Sequence, residues 1–186
     1  MNQSFAVWLL IALSLVAANL PFVVERPFLA LPWQQKGEPE RAPWLVWAVA
    51  IVFFGMLVGV AYLILTLIGD AFVAASDPAS VALFMGKIAL VAVLAGLLLA
   101  WPGRRNRGSV IQKSFFVRLL ELTVFYCLVG MLGFAFETNM GSLFGKTWEF
   151  YAVTFSLFLV VGYPGFVYRY LLRRRKAPAK SPLSAA

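Results

Sequence analysis

The sequence contains five apolar runs, each long enough to cross a lipid bilayer as a helix. A spanning α-helix needs about 20 mostly apolar residues, because the hydrocarbon core is about 30 Å thick and each residue rises about 1.5 Å. The chain is therefore predicted to be an all-α membrane protein, a bundle of five transmembrane helices forming one domain over residues 1–176, with a disordered tail at 177–186. The predicted spans are residues 5–24, 44–69, 80–101, 115–136 and 149–171.

The composition supports a bilayer as the solvent of this chain. Hydrophobic residues make up 62% of the sequence and charged residues 13%, whereas a soluble domain is about half apolar and about a quarter charged. A net charge of +8 could indicate nucleic acid, but here the basic residues flank the apolar runs, as is typical of membrane topology and of contact with anionic lipid headgroups. We expect the lipid bilayer as the partner and no nucleic acid.

The basic residues also predict how the chain crosses the membrane. Twelve of the sixteen Lys and Arg residues lie in the first connection, the third connection and the C-terminal segment, which five spans place on one side. The opposite connections contain only Lys146. Because basic loops stay in the cytoplasm, the N-terminus is predicted outside and the C-terminus cytoplasmic. The first charged residue, Glu25, follows the first run, so that run is predicted to be retained and not cleaved as a signal peptide, which would begin with basic residues.

Two parts of the chain resemble a known family. The strings "VAANLPF", "RLLELTVFYC" and "WEFYAVTFSLFLVVGYPGFVYRYL" lie in the first, fourth and fifth spans. Over residues 7–33 and 115–171 the chain resembles small uncharacterised bacterial inner-membrane proteins, a domain of unknown function. The resemblance implies a gene neighbourhood beside the respiratory NADH–quinone oxidoreductase, complex I. Its members have three spans, so residues 41–112 are expected to be an inserted two-span hairpin.

Ionisable residues within the spans are candidates for a proton relay or for contact with a partner. Lys87 is the deepest charge, and we expect it either to reach the interface, to pair with an acid such as Glu149, or to relay protons. Arg118 and Glu121 lie three residues apart on one face at the start of the fourth span. Their simplest role is a local ion pair at the interface, and the alternative is a carboxylate that faces a partner subunit or a proton path.

Other residues are predicted to shape and pack the helices. Asn19 is expected to form an interhelical hydrogen bond, and Pro21 to end the first span. Pro164 is expected to kink the fifth span, where Gly162 and Gly165 would let a neighbour approach. Small residues are expected to draw the second and third spans into a tight antiparallel hairpin, notably Gly55, Gly59 and Gly86. A polybasic run is expected to bind anionic headgroups: Arg173, Arg174, Arg175 and Lys176.

Three classes of function fit these features. The chain has no histidine and one cysteine, which disfavours haem, iron–sulfur and zinc sites, so we predict no cofactor, no metal and no enzyme activity. Aromatic residues alone suffice to line a quinone pocket, and a redox subunit therefore stays open as a class. The favoured function is a non-catalytic accessory, assembly or stabilising factor with complex I membrane subunits as partners. The alternative is a small proton-coupled transporter that uses Lys87 and Glu121, although no inverted repeat is evident.

Overall fold

The chain folds into long helices joined by short connections. The computed structural model describes residues 3–71, 78–106, 111, 113–141 and 145–172. Two short π-helical turns, Leu65–Gly69 and Tyr168–Leu172, continue the second and fifth helices. In chain order the α-helices are α1 (Gln3–Val23), α2 (Pro43–Ile64), α3 (Pro78–Arg105), α4 (Phe115–Asn139) and α5 (Trp148–Val167).

The predicted all-α architecture with five spans is confirmed within the described chain. Five helices, counting the π-helical turns, are long and apolar enough to cross a membrane, and each begins and ends within a few residues of its prediction. Five such helices make this a multi-pass membrane protein. The polybasic run at 173–176 and the predicted tail at 177–186 lie outside the described residues.

Local signals explain where several helices begin. Ser114 precedes α4 in an extended conformation, and its hydroxyl accepts a hydrogen bond from the Val117 N–H at 3.3 Å, as N-cap residues do. Pro43 occupies the first turn of α2, where its missing N–H costs no helix bond. Pro21 was expected to weaken the first helix where it ends, and α1 ends two residues later, at Val23. Pro21 is therefore part of the last turn, whose free carbonyls receive donors from elsewhere in the fold.

Helices α1 and α4 form the centre of the bundle, because α1 packs against α4 and α5 and α4 also packs against α2. Helices α2 and α3 pack against each other, and the π-helical turn Leu65–Gly69 packs against α4. Contacts join the end of α1, the start of α2, the end of α3, the start of α4 and the end of α5 at one end of the bundle. We call it the basic end, since its described cations include Arg41, Arg105, Lys113, Arg118 and Arg169.

The glycine stripes of α2 and α3 do not line the contact between these helices. A Cβ atom added at Gly55, Gly59 or Gly86 would meet no atom within 4 Å, so the prediction that these glycines let the two backbones approach is wrong for the isolated chain. The pair packs through bulkier groups, and the rings of Phe53 and Trp101 stack with centroids 6.4 Å apart. The glycines instead lie where they leave the outer surface of the hairpin open.

Candidate functional site

The most distinctive group of charges is a buried ion pair at the basic end. The ammonium of Lys113, two residues before α4, lies 2.7 Å from the Glu121 carboxylate within α4, and neither side chain is exposed to solvent. The other carboxylate oxygen of Glu121 accepts a hydrogen bond from the Phe28 N–H at 2.8 Å. Both oxygens of Glu121 are therefore engaged, one by a cation and one by the connection between α1 and α2.

Lys113 binds this connection as well. Its ammonium donates to the carbonyl of Val24 at 3.2 Å and lies 4.6 Å from the centre of the Phe28 ring. Burial lowers the pKa of Lys113, and the neighbouring Glu121 carboxylate opposes that shift. The pair thus fixes the chain that leaves α1 onto the chain that enters α4, and excludes water from both charges.

Arg118 has a different role from the one predicted. Its guanidinium, 2% exposed, donates to the carbonyls of Pro21 at 3.0 Å and Phe22 at 3.2 Å in the last turn of α1. Helix C-terminal carbonyls lack intrahelical donors and carry partial negative charge, so a cation there is favourable. The prediction that Glu121 pairs with Arg118 is wrong. Glu121 pairs with Lys113, and the Arg118 guanidinium instead donates to the end of α1.

We call the contacts of Lys113, Arg118 and Glu121 with the end of α1 the ionic clamp. At its solvent side, Arg169 of the π-helical turn after α5 pairs with Glu25, which follows α1. The Glu25 side chain is 51% exposed, and exposed pairs contribute little to stability. The buried members therefore carry most of the interaction between α1 and α4 at this end.

Asn19 joins α1 to α5, as its residue type predicts. Its amide nitrogen donates to the Val161 carbonyl at 2.9 Å, and its amide oxygen accepts from the Gly165 N–H at 2.7 Å. A regular α-helix would join those two groups of α5 directly, since they are four residues apart. The Asn19 amide is thus inserted alongside the hydrogen-bond ladder of α5, next to Pro164, which lies inside the helix as predicted.

The close approach predicted at two glycines of α5 is confirmed. A Cβ atom at Gly165 would lie 2.9 Å from the Asn19 amide oxygen, and one at Gly162 would lie 3.0 Å from the Ala18 carbonyl. Both positions therefore require glycine if α1 and α5 are to keep this separation. The bridging amide of Asn19 and the two glycines together fix one rigid crossing.

The remaining candidate charges do not join the clamp. Lys87 is half-buried in α3 and forms no ion pair with any other described residue. Glu137 pairs with Lys146 at 2.9 Å, and Glu149 is exposed in the first turn of α5. Eighteen residues separate Lys87 from Arg105 at the basic end, which corresponds to about 27 Å along α3. Lys87 and Glu121 are therefore far apart.

The buried charges of the clamp are engaged by each other or by backbone groups of another segment. Among the described residues no group of His, Cys, Asp and Glu could hold a metal ion. The sequence did not identify Lys113 as the partner of Glu121, because membrane topology alone accounts for a lysine in a basic loop. Only the folded connection between α1 and α2 brings the two residues together against Phe28.

Comparison with known families gives one match. A family model described as Protein of unknown function (DUF2818) matches residues 6–104 and 106–173. No curated protein and no solved structure matches the chain. The first matched range runs through residues 41–104, where the resemblance implies an inserted hairpin, and that insertion stays a prediction.

Proposed function

The chain belongs to the family described as Protein of unknown function (DUF2818), and on that premise we propose a non-catalytic accessory, assembly or stabilising role for it in the bacterial inner membrane. Its proposed partners are membrane subunits of respiratory complex I. The link to complex I rests on the gene neighbourhood that the resemblance implies. The non-catalytic role rests on how the chain uses its buried charges.

The observation that carries this proposal is the complete engagement of Glu121. A carboxylate that relays protons needs a proton donor and a proton acceptor within reach during turnover. The Glu121 side chain is 0% exposed, and its two oxygens bind the Lys113 ammonium and the Phe28 N–H. A group held in this way is suited to fixing two segments of chain, and the separation of about 27 Å along α3 between Lys87 and the basic end favours the accessory role over the transporter.

The outer faces offer room for a partner. Within the most apolar window of α3 only 11% of the residues are buried, against 28% in α1, α2 and α4. Leu90 and Val93 are more than half exposed, so this face of α3 is available to lipid tails or to a helix of another subunit. We also propose that the basic end faces the cytoplasm, since cationic loops stay on that side.

Affinity purification tests the partnership directly. The tagged chain, expressed at its native level and extracted in a mild detergent, should comigrate with complex I on native gels and enrich its membrane subunits. The control is an unrelated tagged multi-pass protein of similar abundance. Equal recovery of complex I subunits with both proteins would remove the proposed partner.

A face-specific variant sharpens this experiment. Replacing Leu90 and Val93 by Ala together should reduce recovery of the partner if α3 is the docking face, because both side chains are exposed there. The matched control is the double Ala replacement of Val153 and Leu157, which are similarly exposed on α5.

Reconstitution tests the alternative transporter. Proteoliposomes that show proton flux lost in Glu121→Gln would favour a carrier that uses Lys87 and Glu121. An accessory protein should show no flux above empty vesicles.

A further inference from the structure

An apolar groove runs between α2 and α3 and reaches the basic end. Its volume is about 740 Å³, within the range of about 300–1,000 Å³ that is usual for ligand pockets. The only charged residue among those lining it is Arg105, at the end of α3. The other lining residues are Ala48, Val49, Val52, Phe53, Met56, Leu97, Leu98 and Trp101.

The length of the groove corresponds to one leaflet of a bilayer. On α2 it extends from Ala48 to Met56, and eight steps of about 1.5 Å give about 12 Å. Half of the hydrocarbon core measures about 15 Å. An acyl chain that enters from the basic end would therefore reach nearly to the middle of the membrane, which is the depth of a lipid of that leaflet.

The mouth of the groove is cationic. The Arg105 guanidinium lies over the Trp101 ring at 5.2 Å and forms no salt bridge with any described residue. Arg41 is close enough to repel it electrostatically, and the Asn106 amide oxygen holds Arg41 at 2.9 Å. A smaller polar recess, lined by Arg41 and Asn106, shares Arg105 and Trp101 with the groove.

One acid lines the recess, and it only partly compensates these charges. Glu38 lines the recess, where its carboxylate accepts hydrogen bonds from the Asn106 amide at 2.7 Å and from the Gln35 N–H at 3.0 Å. The charged residues that line the groove and the recess are two arginines and one acid, so the lining of the mouth is net positive above an apolar channel. That combination complements a molecule with an anionic head and a hydrocarbon tail, and gives no charge partner to a neutral quinone or an apolar helix.

We propose that this groove binds an anionic phospholipid of the leaflet at the basic end. One acyl chain lies between α2 and α3, and the phosphate contacts Arg105 with Arg41 beside it. Arginine is suited to this task because its planar fork donates two parallel hydrogen bonds to phosphate. The site differs from the diffuse attraction of a basic loop because it pairs a charge with a shaped apolar channel.

Lipid retention by the purified full chain tests the site. The protein is exchanged into mixed micelles of dioleoyl phosphatidylglycerol and dioleoyl phosphatidylethanolamine, and bound lipid is measured by native mass spectrometry. We expect phosphatidylglycerol to be retained in preference, and Arg105→Gln to lower its apparent affinity about fivefold, as for the loss of one cation at an anionic surface. Arg104→Gln is the matched control, since Arg104 is exposed beside Arg105 and lies outside the groove lining; it should lower the affinity less than Arg105→Gln does, because it removes no contact with the bound phosphate.

A second arm tests the apolar channel. Ala48→Leu fills the groove and should reduce retention of the lipid, whereas Val58→Leu, at a position of α2 that is 69% exposed and outside the groove lining, should not. Arg41→Gln provides an independent loss of charge if Arg105→Gln fails to fold. Equal retention of the two lipids, or equal effects of Arg104→Gln and Arg105→Gln, would overturn the proposal. So would a quinone, or a second copy of the chain, found in the groove in place of lipid.

Discussion

Replacing Glu121 by Gln should destabilise the folded chain by about 3 kcal/mol, because it leaves the Lys113 ammonium buried opposite a neutral amide. Loss of one partner from a buried ion pair typically costs about 3–5 kcal/mol. We expect the low end, since the ammonium keeps the Val24 carbonyl and the Phe28 ring as partners. Gln also retains an oxygen that can accept from the Phe28 N–H.

The double variant separates the interaction between the two side chains from the cost of leaving each one buried without its counter-ion. Lys113→Met preserves most of the side-chain volume and leaves the carboxylate without its cation, and should also cost about 3 kcal/mol. When Lys113→Met and Glu121→Gln are combined, no charge is stranded, and the cost should fall to about 1 kcal/mol. The summed destabilisation of the two single variants should therefore exceed that of the double variant by several kcal/mol.

The chain contains its own control pair. Lys146 and Glu137 lie 2.9 Å apart, but their side chains are 16% and 31% exposed, and a pair of this kind contributes at most about 1 kcal/mol. Free energies of unfolding would be measured by titration with sodium dodecyl sulfate in mixed micelles, followed by circular dichroism. The prediction is refuted if Glu121→Gln lowers the free energy of unfolding no more than Glu137→Gln does. It is also refuted if the destabilisation of the double variant equals the sum of the two single destabilisations.

Four further outcomes follow from the same structure, each measured by the same titration. Asn19→Leu should cost about 1–2 kcal/mol, because it removes two hydrogen bonds between α1 and α5, and a neutral result would contradict the bridge. Gly165→Ala should destabilise, because its Cβ would lie 2.9 Å from an Asn19 oxygen. Gly59→Ala, where no atom lies within 4 Å, should be neutral or stabilise by up to about 1 kcal/mol. Because burial lowers the pKa of Lys113 below 10.5, the unfolded state binds more protons just below that pH. The stability of the natural chain relative to Lys113→Met should therefore rise with pH there, and a falling difference would contradict the burial.

Hydropathy was enough to locate the five spans, since the apolar character of each run is a local property and the bilayer sets its length. The hydrogen bond of Asn19 also followed from residue type, because an amide within an apolar helix needs a partner. Its partners on α5 depended on packing. The sequence could not show that the face of α1 with Ala18 and Asn19 packs against Gly162 and Gly165 of α5.

The two errors have a common cause. Residues three apart share a helical face, which predicts a pair of Glu121 with Arg118, yet the packing of α1 against α4 brings the carbonyls of Pro21 and Phe22 to Arg118. Gly55 and Gly59 were assigned to a helix contact from their spacing, which does not specify the face that a neighbour covers. In both cases the local pattern was present, and its partner was decided by tertiary structure.

The distribution of contacts separates a three-helix unit from the α2–α3 hairpin. The ionic clamp uses atoms of residues 21–28 and 113–121, and the Asn19 bridge joins α1 to α5, so neither involves residues 41–112. The hairpin is held by different contacts, with Asn106 binding Arg41 at the basic end and Asn139 donating to the Ile68 carbonyl at the other. The chain enters and leaves the hairpin at the same end of the bundle, and the polar contacts of the clamp and of Asn19 use none of its atoms, while its apolar side chains share the core with α1 and α4. A pair of spans can therefore be added to a three-helix unit of this kind without replacing the polar contacts that join its helices.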